Sequence, residues 1–302
     1  MRVPTKHTNY LLHSLKMAVL LSKKNKFLKL LRPKFIYSLL LENITSWFSY
    51  PINVTIKTFW GENMVVVIPE SVSIFIHRFG FYEEGLSNIF MRYLKPGMTF
   101  FDVGAHFGYY TLLGASLVDT QGQVHSFEPT PSSYNILKTN VSRKTNIRIN
   151  NKALFSEKKD LLLKDYGIRY SAFNTIYNSK LDKNTIQKSD ITEHIIEGIT
   201  LDDYVESNSV IPDFIKIDAE GSEYDILVGG QKTIEKYHPL ITIEVGDTDV
   251  RNVPKSKELI EYLIGYNYQP YNYVDGNIKV HSSRIDSYRY DNILFVPNSG
   301  HL

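Results

Sequence analysis

Residues 98–115 read MTFFDVGAHFGYYTLLGA, and the reading of this stretch decides the fold. Met98 to Val103 is a short apolar run of strand character, with Asp102 at its C-terminal end. Gly104 ends the run, Ala105 to Phe107 supply a tight turn, and Gly108 opens a helical pattern with Leu112, Leu113 and Leu117 on one side. A strand, a glycine turn and a helix start together form a cradle for a cofactor. Glycine lets the backbone approach a ligand closely, and the free N–H groups at the helix start favour a negative group by about 0.3–1 kcal/mol. The glycines are spaced Gly-x-x-x-Gly, not as the G-x-G-x-x-G of dinucleotide sites, which counts against a nicotinamide-dependent dehydrogenase.

Moving outward, Val124 to Phe127 reads as the next strand and Glu128 ends it. Thr130 and Pro131 open a helix whose buried face is Tyr134, Leu137 and Val141. A carboxylate at the end of a second parallel strand can accept both hydroxyls of a ribose, at about 1.5–3 kcal/mol for bonds to a charged acceptor. Ile147 to Asn150 reads as a third strand, and Pro212 introduces a fourth within DFIKIDAEGSE, residues 213–223. There Phe214, Lys216 and Asp218 share one face by alternation, and a lysine in mid-strand needs a partner if buried. Asp218 and Glu220 beside Lys216 make a cluster that can tune one carboxylate as a base; two acids can also hold a metal. Ser222 and Asp225 resemble a capping box for the following helix. Leu240 to Val245 is a fifth strand, Lys255 to Ile264 a helix, and Tyr268–Val280 with Asn292–Val296 a closing antiparallel pair. Strands alternating with helices give an α/β sheet with helices on both faces.

Four segments taken together, FFDVGAHFGYYT, VHSFEP, FIKIDAEGSE and DNILFVP, resemble the FkbM family of S-adenosylmethionine-dependent methyltransferases from about Tyr82 to Pro297. The resemblance implies a Rossmann-like class I methyltransferase sheet with a terminal β-hairpin. It implies S-adenosyl-L-methionine as donor and a hydroxyl acceptor on a sugar, glycan or related natural product. The cofactor-binding residues it implies are Glu83, Asp102, Gly104, Ala105, His106, Gly108, Glu128, Pro129, Ala153 and Asp218. His106 stands where the family more often has asparagine. Asp218, Glu220 and Lys216 are the expected catalytic group. A divalent metal is compatible with these acids but is not expected. The alternative is a cofactor-binding but catalytically inactive, membrane-associated scaffold of the same fold; the retained acids Asp102, Glu128 and Asp218 favour the enzyme.

Composition sets further bounds. The 302 residues contain no cysteine, which excludes disulfides, thiolate catalysis and cysteine-ligated zinc. The net charge of +2 hides an asymmetry: residues 1–40 hold nine Lys or Arg and no acid, while the rest holds 25 basic and 32 acidic residues. An acidic body does not suit nucleic acid, and the N/D-P-P-Y/F tetrapeptide of many nucleic-acid amino-methyltransferases is absent. Tyr10 to Leu31 reads as a helix with Leu11, Leu12, Leu15 and Val19 in register and lysines interspersed further on. It either lies on an anionic membrane or packs on the catalytic domain. No run approaches the roughly 20 apolar residues of a membrane span or has the form of a secretory signal. The expected location is cytoplasmic, with peripheral contact at the cytoplasmic membrane face. Residues 1–50 read as a basic, helical N-terminal extension and 51–302 as the methyltransferase domain. Within that domain, Asn53–Phe59 and Met64–Pro69 form a hairpin in a 51–81 lead-in, and 82–297 is the catalytic core. The polar segment 156–198, rich in Tyr and Asn with strand-like runs at Asp160–Lys164 and Phe173–Tyr177, could cover the acceptor site.

Overall fold

The structure, a computed structural model, describes residues 6–48, 50–247, 250, 253–282 and 287–298. Three helices lead: α1 (Lys6–Lys23), α2 (Lys26–Leu30) and α3 (Pro33–Trp47). A hairpin of β1 (Ile52–Lys57) and β2 (Asn63–Ile68) follows, then α4 (Ser71–Phe79) and α5 (Glu84–Tyr93). The core runs β3 (Thr99–Val103), α6 (Tyr109–Val118), β4 (Gln123–Phe127), α7 (Pro131–Val141), β5 (Ile147–Asn150) and β6 (Ala153–Leu154). After β7 (Lys159–Asp165), a 3-10 turn (Ile168–Phe173), α8 (Lys183–Lys188), β8 (Thr192–Ile199) and α9 (Leu201–Asn208) comes β9 (Phe214–Ile217). The chain closes with α10 (Glu223–Gly229), α11 (Gln231–Tyr237), β10 (Leu240–Val245), α12 (Ser256–Gly265), β11 (Tyr268–Val274), β12 (Asn277–Val280) and β13 (Asp291–Pro297).

Eight strands form the central sheet in the order β12-β11-β13-β10-β9-β3-β4-β5. From β10 to β5 the strands are parallel, and β13, β11 and β12 add an antiparallel edge. The chain winds from β3 outward through β4 and β5, then returns to β9 on the other side of β3. The crevice between β3 and β9 is therefore the point where the winding reverses, the place where open α/β sheets bind ligands. Alternation along the strands feeds two cores. Phe100 and Phe214 join Leu112, Leu113 and Leu137 of α6 and α7 on one face. Phe101, Ile215 and Ile217 join Leu227, Ile260 and Leu263 of the C-terminal helices on the other.

Several elements differ from the sequence reading. The helix expected over Tyr10–Leu31 is two helices, because the Asn25 side chain accepts the Leu28 N–H at 2.9 Å and starts a new one. Leu11, Leu15 and Val19 are buried in the core, with α1 packed on α4 and α5, so this stripe takes the packing alternative. Helix α4 has an unusual cap, a fully buried Glu70 whose carboxylate accepts the N–H groups of Val72 and Ser73 at 2.8 and 2.6 Å. Residues 268–280 are two strands, and β13 inserts between β11 and β10. Residues 153–199 contribute a separate three-stranded sheet, β6-β8-β7, in which the expected run at 173–177 supplies only one bridge, Thr175 to Lys164. Ser222 makes no side-chain cap for α10, and Asp225 instead accepts from Ser156 and Tyr177. No helix among the described residues is long and apolar enough to cross a membrane.

Candidate active site

The parallel pairing of the four inner strands ends flush, although β10 continues for two residues beside β13. Ile243 pairs with Ile217, Ile217 with Val103, and Val103 with Phe127. The next residue on each strand is Glu244, Asp218, Gly104 and Glu128, so three acids and one glycine form a row at the C-terminal edge. Gly104 has φ +74°, and a Cβ there would lie 1.7 Å from the Asp218 carbonyl oxygen. Gly108 caps α6 with φ +90°, and its Cβ would lie 2.6 Å from Leu137. Both glycines are thus required by the protein's own packing and backbone, before any ligand is considered.

One residue below this row, Asp102 and Lys216 face each other in register. Lys216 Nζ lies 3.5 Å from Asp102 Oδ1 and 3.2 Å from Asp218 Oδ2, and donates to the Gly104 carbonyl at 3.2 Å. Thr111 of α6 donates to Asp102 Oδ2 at 2.6 Å. Burial alone would discharge Lys216, but the charges of Asp218 and Asp102 outweigh it and raise its pKa above the usual lysine range. Asp102 is wholly buried, and burial raises its carboxyl against the opposing pull of Lys216.

The acids above form a coupled group. Burial opposes ionisation of Asp218, yet the Lys216 ammonium and a hydrogen bond donated by Glu244 hold it below the usual carboxylate range. Glu244 is raised well above its ordinary value by burial and then by the Asp218 charge. Burial pushes Glu220 up to about 7 against the attraction of Lys180. Lys180 Nζ sits 3.2 Å from both Glu220 Oε2 and Glu244 Oε1. Carboxylate oxygens of Asp218, Glu220 and Glu244 lie within 4.8 Å of one another, a spacing that a metal ion could also bridge. Glu220 has φ +48°, held by Thr175 Oγ1 donating to its carbonyl at 2.7 Å and by Glu223 accepting the N–H groups of Ala219 and Gly221.

Glu128 accepts the His106 N–H at 2.8 Å and the Thr130 N–H at 2.9 Å, one on each oxygen, which leaves lone pairs for a further donor. Burial pushes its carboxyl up to about 7. The His106 ring stacks on Phe107 and its Nε2 lies 2.8 Å from Ser171 Oγ, tying the glycine turn to the 3-10 turn; burial lowers its pKa. Glu83 receives hydrogen bonds from Tyr110 and Asn292, each at 2.8 Å, and from Tyr290.

These groups surround a cavity of about 390 Å³, within the size range of small-molecule sites. Of the residues expected from sequence, Gly104, Ala105, His106, Glu128, Pro129, Ala153, Lys216, Asp218 and Glu220 line it. Asp102, Gly108 and Glu83 do not line it; Asp102 contacts the lining residue Lys216, and Glu83 contacts the lining residues Tyr110 and Tyr290. Phe173, Asn174 and Thr175 of the 156–198 segment form part of the wall. Glu244, Lys180 and Tyr290 are additional lining residues that the sequence reading missed. The donor set fits a ligand with vicinal hydroxyls at Glu128 and a cationic portion near the acids.

The fold is the Rossmann-like fold of class I methyltransferases. A family model of the methyltransferase FkbM domain matches residues 102–270, and the chain belongs to that family. S-adenosylmethionine is accordingly its methyl donor. Solved structures similar to it include the methyltransferase FkbM from Methylobacillus flagellatus KT, at 15% identity and TM-score 0.42, covering 74% of this chain. The match spans 52% of that protein, so this chain corresponds to about half of its length. An Aeropyrum pernix fibrillarin with natively bound S-adenosyl-L-methionine matches at 14% identity and TM-score 0.39, over 68% of both chains. A SAM-dependent O-methyltransferase from Thermotoga maritima matches at 12% and 0.38, over 82% of this chain and 79% of that one. No curated protein matches the chain.

Proposed function

We propose that this enzyme methylates a hydroxyl group of a sugar, glycan or related natural product. The observation that carries the reading is the cluster of Asp218, Glu220 and Glu244 at the cavity edge, their carboxylate oxygens within 4.8 Å of one another, with Lys216 3.2 Å from Asp218 and Lys180 3.2 Å from Glu220 and Glu244. When bound, S-adenosylmethionine supplies an electrophilic methyl group on a sulfonium sulfur. A sugar hydroxyl is a weak nucleophile and must lose its proton at or near the transition state, which calls for a base with a pKa close to the working pH. Asp218 accepts the hydrogen bond of the incoming hydroxyl and orients its oxygen. The proton passes into the cluster, with Glu220 as its acceptor. Lys216 keeps Asp218 anionic, and Lys180 steadies Glu220 and Glu244. Glu128 takes the ribose hydroxyls of the donor, Pro129 and Ala153 pack beside it, and Glu83 fixes Tyr110 and Tyr290 around its amino-acid end. Asn and Tyr side chains of the 156–198 segment suit a carbohydrate.

Glycan mass spectrometry of cells with and without the protein tests the reading. A difference of one methyl group in a carbohydrate is expected, and methyl transfer only to a nitrogen or carbon acceptor would overturn it. Turnover should rise with pH through about 7 as Glu220 ionises, and Glu220→Gln should remove that limb. An unchanged limb in a pH–kcat profile of the variant would take the proton away from Glu220.

Glu128→Ala should weaken donor binding by about 1.5–3 kcal/mol, roughly 10- to 150-fold. The hydroxyls donate to the ionised form, so wild-type affinity should be full above about 7 and decline as pH falls through it. Calorimetry across pH checks both effects.

A further inference from the structure

Helix α3 is turned inside out relative to an ordinary surface helix. Its inward side carries Ser38 and Thr45, 1% and 3% exposed, together with Glu42, which pairs with Arg78 of α4. Its outward side carries Ile36, Tyr37, Leu40, Ile44 and Trp47, with Phe48 just beyond the end. Leu40 is 56% exposed, Ile44 53% and Trp47 86%. At 100° per residue these positions fall within about one third of the circumference, a continuous stripe. The amphipathic register is reversed against water, which is the arrangement expected when the outer medium is apolar.

We propose that this face of α3 docks on an anionic lipid surface. Charge separates this occupant from a second copy of the chain. Residues 1–41 contain no acid, and Lys24 and Arg32 are exposed within this module, Arg32 at the head of α3 beside the stripe. A two-fold contact through the same patch would put a surface of the same positive charge on both sides of the interface. An anionic headgroup layer attracts these cations instead, by roughly five-fold in affinity for each cation near the surface. Tyr37 and Trp47 are the amphipathic aromatic types that settle at the headgroup level. The apolar stripe of α1 is spent on the core, so the lipid contact lies on α3 and not on the first helix. Arg78 ties α3 to α4, and Ser71, Val72 and Ile76 of α4 line the cavity. Docking therefore holds the cavity one helix layer from the lipid surface.

Co-sedimentation of the full chain with phosphatidylcholine vesicles, with and without phosphatidylglycerol, tests the proposal. The wild type should pellet with phosphatidylglycerol vesicles only, and less so at high salt. The double variant Leu40→Glu/Ile44→Glu should bind about ten-fold more weakly or worse. Unchanged donor affinity in that variant shows that it is folded. The double variant Lys24→Gln/Arg32→Gln, which leaves the apolar face intact, should lose roughly five-fold per charge. Equal pelleting of all variants, pelleting indifferent to phosphatidylglycerol, or a dimer in sedimentation velocity that Leu40→Glu/Ile44→Glu abolishes without any vesicle binding would each overturn it.

Discussion

Lys216→Met is expected to destabilise the fold by about 3–5 kcal/mol, measured by urea unfolding, because it strands Asp102 as an uncompensated carboxyl in the middle of the sheet. Lys216 is 2% exposed and lies between Asp102 and Asp218, with a further bond to the Gly104 carbonyl. Methionine fills most of the volume, so the loss is electrostatic and not a cavity. The double variant Lys216→Met/Asp102→Asn should recover a substantial part of it, since the buried charge is then removed with its partner. A single variant as stable as the wild type would mean that Asp102 is already neutral in the folded protein. Asp218 stays in contact with the cavity in both variants, so donor binding and turnover can be followed separately from stability.

The parts of the fold that local chemistry specifies were legible. Strand β3, the turn at Gly104 and the start of α6 follow from a short apolar run, a residue at positive φ and a helical repeat, all within one stretch of chain. Alternation correctly put Phe214, Lys216 and Asp218 on one face, and the register then set Lys216 opposite Asp102. What was not legible depends on contacts remote in sequence. Tyr290 and Asn292 reach Glu83 across the antiparallel edge, and no spacing rule links them. Lys180 sits in an irregular segment and gains meaning only beside Glu220 and Glu244. Glu244 is a related case. It is the penultimate residue of β10, followed by Val245, so no acid closes the apolar run there as Glu128 does after Phe127, and only the register with β9 brings it beside Asp218. Helix α3 was unreadable for an opposite reason: periodicity reports an apolar stripe but not which way it faces.

Asp218→Asn is expected to leave donor affinity within a few-fold of wild type while turnover falls by about 10²–10⁴. Asparagine keeps the size of the side chain and can still accept a hydrogen bond, so the strand end and the turn to Gly221 should persist. It cannot hold the negative charge that draws the hydroxyl proton and polarises the Glu244 carboxyl. The Asp218 charge is also one of the forces that raise Glu220 and Glu244. Removing it should therefore lower the proton affinity of both, and the residual activity should show its acid limb shifted below about 7. A role confined to turn structure would reduce activity without moving that limb. Near wild-type turnover on a confirmed acceptor would exclude Asp218 from the chemistry. Loss of wild-type activity with a chelator and its return with magnesium would reassign the three carboxylates, already within 4.8 Å of one another, as metal ligands. In that event Lys180, now 3.2 Å from two of them, would have to leave the cluster, and Lys180→Met should strengthen the magnesium response instead of reducing turnover.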